Sequence, residues 1–293
     1  MRYFFNSIRT FSYWRYALFS VVGVERVLVF LGSVYLLLEM LDFFGMYTRD
    51  KYSSYSLFVV LGFSVVASVL TKLPASRVFY KIPKKDLAFE VCIGDLLESS
   101  APNIVISTNT TFDTDIGNGL INPDSVQGKF TAKFFGGNTE ELDEQINASL
   151  EGEEFEEISS RKGKTRRYPM GTVAKVSAHG KAFYLVAMSE LNADGNASTS
   201  IKDIDLALER LWEAIAVKGE LGDVATAIIG TGRGRLSIPR KKVVEHIAQS
   251  FADEVNKNSF SSKLSIFVFP PDAERFNVNL FEIRDYLVQS LHA

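Results

Sequence analysis

Two apolar stretches near the N-terminus constrain what this chain can fold into more than any other feature. The first runs from about residue 24 to residue 44 and the second from about residue 55 to residue 73. Each is close to the ~20 residues that an α-helix needs to cross the hydrocarbon core of a bilayer. The connecting segment is short, so we expect the two helices to pack as antiparallel neighbours. The sequence therefore predicts a two-helix transmembrane hairpin at residues 24–77, followed by a domain on one side of the membrane.

Basic residues flank this hairpin and predict its orientation. Residues 1–23 interleave aromatic rings with arginines, which is typical of a segment at the headgroup interface. Four arginines lie before or at the start of the first span, and five basic residues lie at or after the end of the second, whereas the connecting loop carries two. By the positive-inside rule, both termini are expected in the cytoplasm and the loop outside, in a multi-pass protein of the cell inner membrane.

Three polar side chains within the predicted spans are candidates for a membrane activity: Glu39, Ser64 and Ser68. An ionisable group inside a span is costly and marks a functional position by default. For Glu39 the alternative is that its carboxyl group reaches the interface or is protonated. Ser64 and Ser68 lie four residues apart and allow close helix packing. A single hairpin is too small to enclose a pore, so pore formation would require a homo-oligomer.

Composition restricts the part of the chain that follows residue 77. It carries 24 Lys/Arg against 31 Asp/Glu, whereas residues 1–77 carry 8 against 4. This acidic balance argues against a nucleic-acid partner. The one cysteine, Cys92, lies in an apolar run. Because the sequence has no second cysteine, an intrachain disulfide is excluded, which fits a reducing cytosol. The three histidines are scattered without zinc spacing, and we predict no metal site.

Short apolar strands alternate with helical patterns from residue 86 onward. Pro74 and Pro83 mark a linker, at residues 78–85, between the hairpin and a cytoplasmic domain at residues 86–293. Buried strands between amphipathic helices predict an α/β layered domain with a mostly parallel or mixed sheet. The predicted strands are 86–93, 103–107, 172–176, 182–188, 224–229 and 264–269, and the predicted helices are 125–135, 140–150, 201–217, 241–256 and 280–291.

Two blocks of opposite charge follow each other in the middle of this domain. Residues 138–157 contain nine acidic and no basic residues, and residues 161–167 contain five basic ones. Adjacent blocks of this kind usually form a solvated face or a loop that pairs with itself. A ligand-binding patch is the alternative.

Three strand ends and one helix start carry residues suited to a nucleotide. In such sheets, ligands bind outside the carboxyl ends of the strands. There an aspartate can accept a hydrogen bond from a base, and glycine amides, arginines and the first amides of a helix can hold phosphate. The candidate ligand-binding residues are Asp95, Leu96, Thr108, Asn109, Thr110, Asp113, Ser125, Val126, Gln127, Gly128, Gly230, Thr231, Gly232, Arg233, Gly234 and Arg235. Their order predicts a diphosphate between the last loop and the helix start, with the base near Asp95.

Taken in this order, the motifs resemble those of macro domains, the α/β/α modules that bind ADP-ribose. Gly94-Asp95 resembles the family's Gly-Asp motif, whose aspartate holds the adenine, and Thr108-Asn109 is similar in place to its Asn-rich strand end near the distal ribose. Residues 125–130 resemble the first phosphate loop and residues 230–235 the second. With two spans ahead of this domain, the chain resembles the membrane-anchored macro-domain effectors of bacterial Thoeris anti-phage systems.

The resemblance implies a macro-domain-like α/β/α sandwich that acts as a signal receptor. A TIR-domain partner enzyme would make an ADP-ribose derivative, histidine-ADP-ribose, whose binding would trigger homo-oligomerisation and membrane disruption. The first loop lacks the family's usual glycine run, and threonines flank Asn109 where hydrolytic members carry further asparagines. These departures favour binding without turnover, so we predict no catalytic residue and no cofactor. The alternatives are a membrane-tethered ADP-ribosyl hydrolase and a passive tether that only localises an ADP-ribose-binding module.

Overall fold

The computed structural model describes residues 5, 7–46, 53–72, 76–159, 162–191, 197–219, 221–229 and 238–291. The chain divides into two compact units. The first consists of Met1–Ser76 together with Asn279–Glu282, and the second consists of Arg77–Val278 together with Ile283–Ala293.

The first unit is helical. Its elements are α1 (Phe11–Trp14), a π-helix (Arg15–Phe19), α2 (Val21–Phe43) and α3 (Ser53–Leu70). The Ser20 hydroxyl accepts a hydrogen bond from Gly23 N at 3.0 Å and caps α2. A Cβ on Gly23 would lie 2.7 Å from Ala17 O, so glycine allows α2 to begin directly against the π-helix.

One helix of this unit is long and apolar enough to cross a membrane by length and composition. In α2 only 6% of the apolar 18-residue window is buried, unlike the mostly buried core helix of a soluble protein. The apolar part of α3, Tyr55–Leu70, is shorter than a span by the same criterion. The prediction of two spans is therefore supported for α2 alone among the described helices. Signal sequences share these properties, so insertion of α2 in a membrane stays a prediction.

The three polar side chains predicted within the spans, Glu39, Ser64 and Ser68, are buried or hydrogen-bonded within the first unit. Ser64 and Ser68 are fully buried, although most of α3 is exposed, because α3 packs against α2 and the π-helix. Ser64 Oγ donates to Val60 O at 2.7 Å. The half-buried Glu39 accepts a hydrogen bond from Tyr35 Oη at 2.6 Å. The two serines thus lie where helices of one chain approach each other.

The second unit is built on an eight-stranded sheet, with a separate two-stranded ribbon. The strands are β1 (Arg77–Lys81), β2 (Ala88–Ile93), β3 (Asn103–Asn109), β4 (Glu156–Glu157), β5 (Arg166–Arg167), β6 (Val173–Ala178), β7 (Lys181–Leu191), β8 (Ala197–Ser198), β9 (Val224–Ala227) and β10 (Lys263–Val268). The order in the sheet is β1-β2-β10-β9-β3-β7-β6, and β8 also pairs with β7. Strands β2, β10, β9, β3 and β7 are parallel, and the edge strands β1 and β6 are antiparallel to their neighbours. Strands β4 and β5 form the separate ribbon.

Helices cover both faces of this sheet. On one face, Phe130 and Leu142 pack with Ile106 and Phe183 in a buried cluster. On the other face, the Phe251 ring contacts Trp212 and Phe89, with centroids 5.0 and 6.1 Å apart. The helices are α4 (Val126–Phe135), α5 (Thr139–Ser149), α6 (Ile201–Lys218), α7 (Arg240–Lys257), α8 (Pro270–Arg275) and α9 (Leu280–Leu291), with a 3₁₀ turn at Leu96–Glu98. The predicted α/β/α sandwich is confirmed.

Strand β1 is the main difference from the predicted organisation. Arg77–Lys81 pairs antiparallel with β2, so most of this strand lies within the predicted linker, residues 78–85. Its side chains alternate between exposed and buried, with Val78 and Tyr80 turned inward. This two-residue period is a strand signal. It was missed because the basic residues around it were interpreted as flanks of a membrane span.

The opposite edge of the sheet is covered by residues 138–167, which the resemblance to macro domains identifies as an insertion. Lys175 N in the edge strand β6 donates to Ser149 Oγ at 2.8 Å, and Ser177 N donates to Gln145 Oε1 at 2.8 Å. Both acceptors are side chains of α5. The helix therefore satisfies N–H groups that an open edge would offer to another strand.

Glu90, in β2, makes the stability of this sheet depend on pH. It is 8% exposed and pairs with Arg77 at 3.0 Å and with Lys263 at 2.9 Å. Burial raises the pKa of Glu90, but the hydrogen bond from Lys263 and the charges of Lys263 and Arg77 outweigh it and hold that pKa below its ordinary value. A lowered pKa stabilises the fold above the unfolded-state pKa, and this contribution is lost as the pH falls through the folded-state pKa.

We therefore expect Glu90→Gln to be less stable than the wild type at neutral pH, and the difference to shrink as the pH falls from about 6 to about 3. Urea unfolding of the full chain across this range measures it. Glu98→Gln is the matched control, because Glu98 also pairs with a lysine, Lys133, but is exposed. A stability difference that stays constant with pH would contradict the role given to Glu90.

Candidate functional site

The sheet topology brings the predicted binding loops to one edge. Because β2, β10, β9 and β3 are parallel neighbours, the residues that follow them emerge at the same side of the sheet. We call this side the carboxyl edge, defined by the residues that follow these four strands. The predicted second phosphate loop, residues 230–235, lies outside the described residues, although β9, which precedes it, ends at this edge. That part of the site stays a prediction.

Asp95 lies at the carboxyl edge after β2. Its carboxylate accepts a hydrogen bond from Leu97 N at 2.9 Å and caps the 3₁₀ turn, in which Leu96 is buried. Gly94 N donates to Val268 O at 3.0 Å and ties the end of β2 to the end of β10. Asp95 is exposed, so its second carboxylate oxygen is accessible to a donor such as the amine of a base.

The loop after β3 is organised by a buried hydrogen-bond network rather than by side chains that face outward. Asn109 Oδ1 accepts from the backbone N–H groups of Thr111 and Asp113, both at 3.1 Å. The Asp113 carboxylate accepts from Thr111 Oγ1 at 2.6 Å and from Asn109 Nδ2 at 3.2 Å. All three side chains are buried, and Asp113 is only 1% exposed. The structure thus brings Asn109 and Asp113 into contact and buries both side chains.

Phe112 lies at the centre of this loop in a strained conformation. Its φ is +50°, a left-handed value that is rare for a bulky residue and costs on the order of 1–3 kcal/mol. The ring is buried and meets Tyr168 edge-on, with centroids 5.6 Å apart. Such strain persists only where surrounding contacts hold it, and it often marks a functional site.

The start of α4 lies next to this loop. Ser125 Oγ accepts a hydrogen bond from Gly128 N at 3.0 Å, so one of the predicted phosphate donors is taken by the helix cap. The amides of Val126 and Gln127 belong to the first turn and have no intrahelical acceptor. Gln127 Nε2 donates to Asp113 O at 2.6 Å and joins the helix start to the loop.

The two threonines around Asn109 differ in their surroundings. Thr110 N donates to Ser189 O at 3.0 Å, and Thr110 O accepts from Tyr168 N at 2.8 Å, so Thr110 joins the loop to its neighbours through its backbone. Thr108 is 3% exposed, and its hydroxyl finds no hydrogen-bond partner within the described part of the chain.

Phe269 is a residue of the carboxyl edge that the sequence motifs did not identify. It follows β10, its ring is 41% exposed, and Lys129 Nζ lies 4.3 Å from the ring centroid. Because β10 lies between β2 and β9, Phe269 follows a strand that lies between the strand before Asp95 and β9. An aromatic residue at the end of a buried strand, followed by two prolines, was the available signal. An exposed ring beside a cation is suited to stacking with a base.

The opposite-charge blocks pair with each other, which confirms the interpretation of a self-pairing segment. Strands β4 and β5 are antiparallel, with Glu156 opposite Arg167 and their charged groups 3.8 Å apart. The Arg166 guanidinium lies 4.7 Å from the centroid of the Phe155 ring. Lys164, near the end of this segment, also reaches the loop after β3, where its ammonium donates to Phe112 O at 2.6 Å.

Comparison with known proteins assigns the second unit to a class and then the chain to a family. The second unit has the fold of a macrodomain. A point mutant of the Oceanobacillus iheyensis macrodomain is similar with a TM-score of 0.50 and 15% sequence identity, over 74% of this chain and 98% of that chain. The same macrodomain with MES bound gives a TM-score of 0.50 and 17% identity, over 73% of this chain and 98% of that chain. At these identities the similarity shows the fold alone.

The family is shown by a sequence model described as the macro domain of the Thoeris protein ThsA, which matches residues 89–269. The chain therefore belongs to the ThsA macro-domain family. The matched residues begin in β2 and end at Phe269, so they include Asp95, the loop after β3 and the start of α4. No curated protein sequence matches the chain.

Proposed function

We propose that this chain is a membrane-anchored anti-phage effector whose macro domain binds an ADP-ribose-derived signal. The observation that carries the proposal is the composition of the carboxyl edge within the family match. It presents the exposed Asp95 carboxylate, the exposed Phe269 ring and the first turn of α4 along neighbouring strands. A base needs a hydrogen-bond acceptor and a stacking surface, and a diphosphate needs backbone N–H groups or cations.

The proposed pose follows from that order. The adenine stacks on Phe269, and its exocyclic amine donates a hydrogen bond to the Asp95 carboxylate. The diphosphate lies at the amides of Val126 and Gln127, near the Lys129 ammonium, with residues 230–235 as the second phosphate loop. The distal moiety points toward the loop after β3. Because Asn109 and Asp113 are buried, we assign them to shaping that loop rather than to direct contact in this conformation.

The signal is proposed to be histidine-ADP-ribose made by a TIR-domain enzyme, and no cofactor is invoked. The ligand can change the protein only if it binds one assembly state more tightly than another. We propose that the bound state is a homo-oligomer in which hairpins meet and disrupt the inner membrane, as in abortive infection. The exposed apolar surface of α2 supports anchoring, and this proposal keeps α3 as the second span and both termini in the cytoplasm.

Binding without turnover is favoured by the burial of Asp113, the carboxylate that contacts Asn109 in the loop after β3. A general base must come within hydrogen-bond reach of its proton, directly or through one water. Asp113 is 1% exposed and already accepts hydrogen bonds from Asn109 and Thr111. The alternative, an ADP-ribosyl hydrolase, would need a water placed between the ribose and the first phosphate loop.

Calorimetric titration of the full chain in lipid nanodiscs with histidine-ADP-ribose and with ADP-ribose tests this proposal. The full chain is required, because a fragment that starts at Lys84 would lack β1, which pairs with β2. We expect the conjugate to bind at least about tenfold more tightly than ADP-ribose, a difference of about 1.4 kcal/mol, and to be recovered unchanged. Release of free ADP-ribose would indicate the hydrolase, and binding of neither ligand would overturn the proposed ligand class.

A further inference from the structure

The insertion at residues 138–167 reaches back to the loop after β3 through one lysine. Lys164 N donates to Asp113 Oδ1 at 2.8 Å. Its ammonium donates to Phe112 O at 2.6 Å and to Asp143 Oδ1, on α5, at 2.6 Å. Backbone and side chain of one residue thus contact two successive residues of the strained loop.

Gly163 makes this approach possible. Its φ is +95°, and a Cβ added there would lie 2.4 Å from Asp113 Oδ1 and 2.8 Å from Leu120 Cδ1. An L side chain would therefore meet both an unfavourable backbone conformation and a direct collision. The backbone of the insertion is packed against the Asp113 carboxylate as closely as glycine permits.

Asp143 extends the same contact to the next residue of the loop. Its Oδ1 accepts hydrogen bonds from Thr114 Oγ1 at 2.8 Å and from the Lys164 ammonium. The side chains of Lys164 and Asp143 are 27% and 31% exposed, so the pair lies at the surface rim of the loop rather than in the core. The insertion supplies one cation and one anion that hold the loop from Phe112 to Thr114.

These contacts also reach the start of α4. The Phe112 carbonyl is held by Lys164, and the next carbonyl, Asp113 O, accepts from Gln127 Nε2 at 2.6 Å. Lys164 therefore holds the loop on one side of Asp113, and Gln127 holds it on the other. The left-handed Phe112 is the position where the loop would relax first, because its strain is balanced by these contacts.

We infer that Lys164 is a positioning residue for the signal, which holds the loop after β3 in its binding conformation without touching the ligand. The inference rests on the proposed function, because it concerns the distal part of that same site. It gives the insertion a role in ligand affinity in addition to covering the sheet edge. Preorganising a loop in its bound conformation raises affinity by lowering the ordering cost of binding.

The test compares Lys164→Met with Lys164→Arg and Lys162→Met in the full chain in nanodiscs. We expect Lys164→Met to weaken ADP-ribose binding about tenfold or more, and Lys164→Arg to restore most of it, because a guanidinium can donate to both oxygens. Lys162 is exposed, and its substitution is expected to change nothing. Lys164→Met should lose several-fold less affinity for ADP, which lacks the distal ribose, than for ADP-ribose. A general loss of structure would weaken the binding of both ligands equally.

A second pair of variants perturbs the same contact by steric means. Gly163→Ala is expected to reproduce the effect of Lys164→Met. Gly152→Ala is its control, because Gly152 lies in the same insertion with a similar φ of +87° but no atom within 4 Å of an added Cβ. We expect Gly152→Ala to bind ADP-ribose like the wild type.

Hydrogen exchange separates failure of this inference from failure of the proposed ligand. In ligand-free Lys164→Met, the amides of Thr111 and Asp113, which both donate to Asn109 Oδ1, should exchange faster than in the wild type. If the wild type binds ADP-ribose and both Lys164→Met and Gly163→Ala bind it equally well, the inference is wrong. If the wild type binds neither ADP-ribose nor histidine-ADP-ribose, the proposed function fails, and unchanged exchange in Lys164→Met would overturn the positioning role as well.

Discussion

Replacement of Asp113 by alanine is expected to lower the free energy of unfolding of the second unit by about 3–5 kcal/mol. The carboxylate is 1% exposed and accepts hydrogen bonds from Asn109 Nδ2, Thr111 Oγ1 and Lys164 N. Removing it leaves buried donors without an acceptor, and each such donor costs about 1–3 kcal/mol. The loop after β3 would then lose the shared acceptor of its buried hydrogen bonds and change conformation. We expect signal binding to be lost as a result.

Asp113→Asn is the matched control for this prediction. An asparagine has the same shape and keeps one oxygen for Lys164 N, but its amide group would face the Asn109 amide as a second donor. We expect about half of the loss seen for alanine. Urea unfolding of the full chain, followed by tryptophan fluorescence, gives the free energies. A loss below about 1 kcal/mol for Asp113→Ala would show that the buried network contributes little to stability.

Gly128→Ala is expected to weaken signal binding by about two orders of magnitude. This is the largest loss of affinity that we expect from a single substitution at the carboxyl edge. Helix propensity alone would favour alanine by about 1 kcal/mol. A Cβ at this position, however, would lie 2.3 Å from Asn122 O and 2.8 Å from Pro123 Cα, both backbone atoms. The first turn of α4 must therefore move away from the turn before it, and its amides move with it.

The cost to stability should be smaller, about 1–3 kcal/mol, as for other overpacked sites. Gly117→Ala is the control, because an added Cβ there would meet only the Asp115 carboxylate, at an ordinary 3.5 Å. Calorimetric titration and thermal unfolding of both variants distinguish the two effects. If Gly128→Ala binds like the wild type, the start of α4 is not part of the diphosphate site.

The helices and most strands could be predicted from the sequence because their signals are local. The strand before Gly94-Asp95 is a short, continuous buried run, and the helix after Ser125 buries one face with a helical period. Strand β1 alternates exposed and buried side chains with the two-residue period of a strand, but it was missed because basic residues at the end of a span and basic residues on an edge strand look alike. Phe269 was missed for a different reason, since a strand end becomes a binding edge only once its neighbours are known.

The sequence by itself determined that apolar helices precede an α/β domain, that three polar loops follow buried strands, and that these loops have the order of a macro domain. Only the tertiary structure decided which way their side chains face. One donor to the buried Asp113 carboxylate, Lys164 N, comes from a segment 51 residues later in the chain. Hydrogen bonds across such distances depend on how the insertion packs, and no local pattern of residues encodes that packing.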